Sequence, residues 1–205
     1  LGVRERRVSA LSVDPLWPRA GDWPAPVPGS PMDAALLGVP AWRTSLSPTG
    51  AGATPAAVRA ALRRFSPTLL GSPPVDLNEV LTIVDAGDVG EPDGREGEER
   101  VRARVAALSA ARLVIALGGD NSATYAVAQG RAARGLITLD AHFDLRDGVS
   151  NGSPVRRLIA DGFDPRRIVQ IGIADFANSA AYARRAADAG ITVVGLDEVR
   201  RHGVD

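Results

Sequence analysis

The sequence predicts a three-layer α/β protein: a mainly parallel sheet with helices on both faces. Three observations carry this. Short apolar runs with β-branched residues, such as Leu136–Leu139, read as strands buried on both sides. These runs alternate with stretches of helical periodicity, the pattern of βαβ units. Acidic and amide residues also recur just after the strands: Asp85 and Asp88, then Asp120 and Asn121, then Asp140, His142 and Asp144. In a parallel sheet these ends share one edge, where open α/β sheets place their ligands.

Residues 1–31 are irregular and rich in proline and form an arm, with Trp17 and Trp23 expected to pin it to the surface. The α/β domain occupies 32–205. A first strand is expected over 33–39, ending at Pro40. A loop, 42–53, carries Gly50 and Gly52, and Thr54-Pro55 opens a helix with Thr54 as N-cap and Pro55 in the first helical position. Val58, Ala61, Leu62 and Phe65 form that helix's apolar face. A second strand is read over 80–84, an exposed loop over 91–98, and a helix over 99–112 with Val101, Val105, Ala106 and Leu108 inward. Strand 113–117 leads into Gly118-Gly119-Asp120-Asn121-Ser122 and an alanine-rich helix to 134. After the 136–139 strand, Pro154 opens a helix to 160. Residues 168–173 are a strand, and 178–189 a helix closed by Gly190. Residues 191–194 are a last strand, and a short helix begins at Asp197. Six strands result, with no second core.

Composition narrows the function. In 205 residues, 24 Lys and Arg balance 24 Asp and Glu, so no nucleic-acid partner or acidic membrane surface is implied. There is no cysteine, which removes disulfides and thiolate metal sites. No apolar run reaches the roughly 18 residues of a membrane span. A cytoplasmic soluble protein is the expectation, with a homo-oligomer allowed. The chain starts with Leu and stops just after an element, so it reads as incomplete at its carboxyl end.

Chemistry concentrates at Asp140, His142 and Asp144. If the chain stays extended past the strand, alternation puts the three side chains on one face. Two carboxylates and an imidazole there suit a hard divalent ion such as Mn²⁺. Asp88 and Asp120 read instead as caps or loop ligands. No Gly-Lys-Ser/Thr follows Gly50 and Gly52, and no dinucleotide fingerprint follows a strand, so phosphate-binding readings are weak.

Gly118 to Ser122, followed about twenty residues later by Asp140-Ala141-His142-Phe143-Asp144, resembles the ureohydrolase superfamily of arginase, agmatinase and formimidoylglutamase. Gly38-Val39-Pro40, Gly50 to Pro55 with Arg59, Asp85 to Val89 and Asn151-Gly152-Ser153-Pro154 agree in order. Ile171-Gly172-Ile173, Phe176 to Ser179 and Asp140 to Arg146 look most like the formimidoylglutamase branch. The resemblance covers 32–205. It implies an arginase-like fold and a two-Mn²⁺ hydrolase of linear amidines or guanidines, in which a metal-bridging hydroxide attacks the C=N carbon. By position Asp140 bridges both metals, His142 binds one and Asp144 the other. Arg146 falls where the family touches the substrate's carboxylate end, which suits a formimidoylglutamate-like substrate; the alternative is an ion pair with Asp147 or Asp161.

Three departures stand out. Asn121 occupies the place of a metal-binding histidine, and offers only a neutral amide oxygen. Asn151 replaces a proton-shuttling, substrate-facing histidine. The family's later Asp-x-Asp pair is expected beyond residue 205. Without metal, Asp140 and Asp144 should repel each other and raise one carboxylate's pKa. A non-catalytic member that has lost part of the site is therefore the rival reading. A two-metal phosphoesterase would need more histidines than His142 and His202.

Overall fold

A computed structural model describes residues 14–203; the beginning of the proline-rich arm lies outside the described residues. From 14 to 31 the arm contains turns but no helix or strand. It runs beside the domain through Pro24, whose carbonyl accepts from the Asp85 amide at 2.9 Å. Trp23 holds it with a 3.0 Å hydrogen bond to the Asn78 side chain, whereas Trp17 stays half-exposed and does less pinning than expected.

The domain alternates strand and helix. β1 is Met32–Val39 and α1 is Thr54–Leu62. A small hairpin follows, β2 (Thr68–Leu69) with β3 (Val75–Asp76), then the one-turn α2, Leu77–Val80. β4 is Ile83–Asp88, α3 is Gly94–Ala107, β5 is Ala111–Gly118 and α4 is Ala123–Gly130. β6 (Leu136–Leu139), α5 (Pro154–Ala160), β7 (Ile168–Ile173) and α6 (Ala180–Ala189) come next. β8 (Thr192–Gly195) and α7 (Leu196–His202) complete the described chain.

Some boundaries differ from expectation for local reasons. Asp76 caps α2 through the Asn78 amide, so the strand expected from residue 80 starts at Ile83. α3 begins at Gly94, inside the stretch read as a loop, because Gly97 packs directly on the Glu91-Pro92 backbone where a side chain would clash. Thr54 is the first helical residue rather than the N-cap. α1 buries only Pro55, and Phe65 is exposed, so its apolar face is only partly covered.

The six main strands are parallel but form two sheets, β4-β1-β5 and β6-β7-β8, rather than one. β1 is central to the first and almost wholly buried, with Leu36 opposite Asp85 on one side and Ile115 on the other. Its core gathers Leu37, Val39, Val84, Val101 and Val105. The second core gathers Phe143, Leu145, Val155 and Ile168. α4 packs against both α3 and α5 and so bridges the halves. Across that bridge Arg157 of α5 makes a two-pronged pair with Glu98 of α3, at 2.6 and 2.7 Å, and stacks 3.6 Å from the Tyr125 ring centroid.

Among the described residues β5 and β6 are edge strands of their sheets, and they do not pair with each other. Leu113, Ile115, Ile137 and Leu139 on them are 55, 40, 69 and 82% exposed, although parallel sheets ordinarily cover both faces. Bare apolar strand faces on a chain of zero net charge favour self-association. Changing Ile137 and Leu139 together to lysine should lower the sedimentation-velocity average mass of this chain at pH 7. An unchanged distribution would show that these faces do not drive association. No helix among the described residues is long and apolar enough to cross a membrane.

Candidate active site

The site is built where β6 ends. Leu139 leaves the strand into a turn closed by the Asp140 carboxylate, which accepts from the His142 amide at 2.8 Å and lies 3.1 Å from its Nδ1. The segment is therefore not extended, as strand alternation would have it, and Asp144 adopts a left-handed φ of 54°. Asp140 is partly exposed, His142 exposed and Asp144 buried. The three residues still line one cavity, but from a curled loop.

Two side chains that sequence reasoning passed over hold that loop. Asn178 donates to the Ala141 carbonyl at 2.8 Å and accepts from the Phe143 amide at 3.1 Å. Gln170, fully buried in β7, donates to the Phe143 carbonyl at 3.0 Å. A glutamine inside the apolar run Ile168–Ile173 was the available signal, since a buried amide must find a partner.

Asn121 stands at the end of β5 and reaches across to the second half. Its Nδ2 donates to Asp144, while its Oδ1 accepts from the Thr124 hydroxyl at 2.6 Å. In this arrangement the amide oxygen proposed as a metal ligand is taken by Thr124. Burial drives the Asp144 pKa up to about 7, with the Asp140 charge as the next cause; His142 and the Asn121 hydrogen bond oppose the rise. The expected carboxylate repulsion is present, but loss of water is the larger effect.

Asp120 is a loop ligand, as expected: it accepts from the Ser122 amide at 3.0 Å and from the Ser45 hydroxyl. Asp88 instead pairs with Arg59, whose guanidinium also takes Asp85 in a two-pronged contact at 2.6 and 2.8 Å. Those two aspartates are therefore committed to α1.

Arg146 borders the cavity with an exposed side chain. Neither alternative partner holds it: Asp147 pairs with Arg185 at 3.0 Å, and Asp161 accepts from Tyr125 and from Gln129. Asn151 also lines the cavity, but its Oδ1 accepts from the Leu46 amide at 3.2 Å. The cavity measures about 540 Å³ and is lined by Ser45 to Thr49, by Asp140 and His142 to Arg146, and by Asn178, Ser179 and Tyr182. His202 lies exposed at the end of α7, and the cavity lining does not include it.

Mn²⁺ fits these donors only in part. Two carboxylates and one imidazole are of the right chemistry. Yet among the described residues no group of three or more histidine or carboxylate side chains is arranged to hold an ion.

A profile of the Arginase family matches residues 32–205. The chain belongs to the Arginase family. Formimidoylglutamase of Bacillus subtilis is 30% identical over 83% of this chain and 57% of its own length. That of Halalkalibacterium halodurans is 32% identical over 97% and 66%. The chain thus spans 57 to 66% of the length of these relatives. Among solved structures, B. subtilis formimidoylglutamase superposes with a TM-score of 0.83 at 28% identity, covering 98% of this chain and 67% of that one. Trypanosoma cruzi formiminoglutamase with Mn²⁺ gives 0.76 at 27% identity, covering 84% and 62%. The arginase-like α/β fold with mainly parallel strands is thereby established, and the likeness falls on the formimidoylglutamase branch.

Proposed function

We propose that this chain carries the substrate-binding side and part of the metal side of an Mn²⁺-dependent hydrolase that cleaves a C–N bond in a linear amidine bearing a carboxylate, formimidoylglutamate being the first candidate. The observation that carries the reading is the Arg146 guanidinium, which has no carboxylate partner among the described residues and lies on the same cavity as Asp140, His142 and Asp144. A guanidinium without a protein carboxylate is matched to a substrate carboxylate, which it can grip with two hydrogen bonds.

The donors in hand fall short of two Mn²⁺. Asp140, His142 and Asp144 would be ligands, and Asn121 could join only by releasing Thr124. The remaining carboxylates would come from polypeptide outside these 205 residues, in keeping with the relatives' greater length. What the residues of this chain do themselves is bind and orient: Arg146 the carboxylate, Asn121 the Asp144 side chain, Asn178 and Gln170 the loop between. Asn151 lines the same cavity but, as an amide, has no titratable proton to pass at neutral pH. The rival reading, a non-catalytic member, draws on the incomplete donor set.

The test of the substrate end is Arg146→Ala in the complete enzyme. Loss of a two-pronged charged contact should raise KM for formimidoylglutamate by about 10- to 100-fold, with a smaller change in kcat. An unchanged KM would remove Arg146 from the substrate site.

A further inference from the structure

We propose that Asn151 is a positioning residue: it latches the loop of residues 44–49 over the cavity and so sets the length of substrate that fits between that loop and Arg146. The proposal deepens the substrate reading above, but its first test involves no substrate.

The latch is made in both directions. The Asn151 amide donates to the Thr44 carbonyl at 3.2 Å, and its side-chain oxygen accepts from the Leu46 amide at 3.2 Å. The loop is tied at two further places. Asp93 takes the Trp42 and Arg43 amides at 3.1 and 3.0 Å, and Asp120 takes the Ser45 hydroxyl. The ties fall on 42–46, whereas the tip, Ser47-Pro48-Thr49, lines the cavity beyond them. Within the loop the Ala51 amide donates to the Thr49 hydroxyl at 3.0 Å, and Asn151 is the tie from a distant segment that falls nearest the tip, so the placement of the tip against the cavity rests on it.

The same turn braces Arg146. The Arg146 amide donates to the Gly152 carbonyl at 3.0 Å. A methyl group added at Gly152 would stand 2.9 Å from the Arg146 Cδ and 3.2 Å from the Leu46 Cδ1. Loop, turn and Arg146 stem are thus in contact at one point. A side chain engaged with the loop backbone has a different task from a proton carrier. Losing it should loosen substrate fit and leave proton transfer alone.

The first experiment is amide hydrogen exchange by NMR on the 205-residue chain. Asn151→Ala should speed exchange at the Leu46 amide at least tenfold, while Leu37 and Val101 in the buried core stay protected. Asn151→Asp keeps an acceptor oxygen in place and should restore Leu46 protection. If the alanine variant loses core protection, Asn151→Ser replaces it, being too short to reach the loop. Unchanged Leu46 exchange, or failure of aspartate to restore it, overturns the latch. In the complete enzyme, Asn151→Ala should raise KM severalfold and narrow the preference between formimidoylglutamate and its one-methylene-shorter homologue, leaving the pH profile of kcat in place. A displaced pH profile with unchanged KM would overturn the positioning role, making Asn151 part of the proton path. Exchange and kinetics fail separately, so a loss of the hydrolase reading leaves the latch measurement intact.

Discussion

Glu98→Ala should destabilise the chain by about 1.5–3 kcal/mol, the cost of losing charge-assisted hydrogen bonds in a part-buried ion pair. The Glu98 and Arg157 side chains are each 14% exposed, so water replaces the lost partner only in part. Burial is the largest influence on the Arg157 pKa and lowers it, but the Glu98 hydrogen bonds together with the charges of Glu98, Tyr125 and Asp161 leave it raised; a guanidinium keeps its charge in proteins whatever its partner, so Arg157 stays charged when Glu98 is gone. The pair links α3 of the first half-sheet to α5 of the second, with the Tyr125 ring of α4 stacked on it. Beyond the loss in midpoint, the variant should let the β6-β7-β8 half unfold before the β4-β1-β5 half, separating two transitions in urea. Glu98→Leu with Arg157→Met, which removes both charges, should recover most of the stability. A loss below about 1 kcal/mol for Glu98→Ala, the range of an exposed pair, would mean that the two halves are held together by apolar packing alone.

Asp144→Asn should act in the opposite direction and stabilise the metal-free chain. The Asp144 carboxyl titrates near 7 in the folded chain and near 4 in an unfolded one. Between those values the folded protein holds a proton that the unfolded chain gives up. Stability from this group is therefore full below about pH 4, falls as pH rises, and is lost above about pH 7. The displacement corresponds to roughly 4 kcal/mol. Denaturation in chelator at pH 4.5, 6 and 8 should show that decline in the wild type and a flatter profile in Asp144→Asn, with the variant about 2–4 kcal/mol more stable at pH 8. Equal slopes would place the titration elsewhere. Such a gain on removing a proposed ligand is what a site that sacrifices stability for function should show.

Much of this was readable from the sequence. The order of the main strands and helices followed from period and caps, and Gly190 closes α6 where the pattern put its end, although the helix opens at Ala180 behind a Ser179 cap rather than at Asn178. The strand-end rule brought Asn121, Asp140, His142 and Asp144 to one cavity. What the sequence did not reveal was pairing and curvature. Nothing in the apolar runs of β5 and β6 says that they fail to hydrogen-bond with each other. Strand alternation also fails beyond Leu139, because Asp140 closes a turn on His142 and Asp144 takes a left-handed φ. The amides that hold this loop, Asn178 and Gln170, come from distant segments, and their partners are backbone atoms that no spacing rule points to. Asn121 shows the same limit: its residue type suggested a weak ligand, and only the placement of Thr124 reveals where its oxygen is spent.

The central claim is that these residues serve amidine hydrolysis within a metal site that this chain does not complete. The direct measurement is formimidoylglutamate turnover with added Mn²⁺, run in parallel on the 205-residue chain and on the complete enzyme with and without Asp140→Ala. The account predicts Mn²⁺-dependent turnover by the complete enzyme, its loss in Asp140→Ala, and none by the 205-residue chain. Turnover by the 205-residue chain itself, or a complete enzyme indifferent to Asp140→Ala, would contradict it.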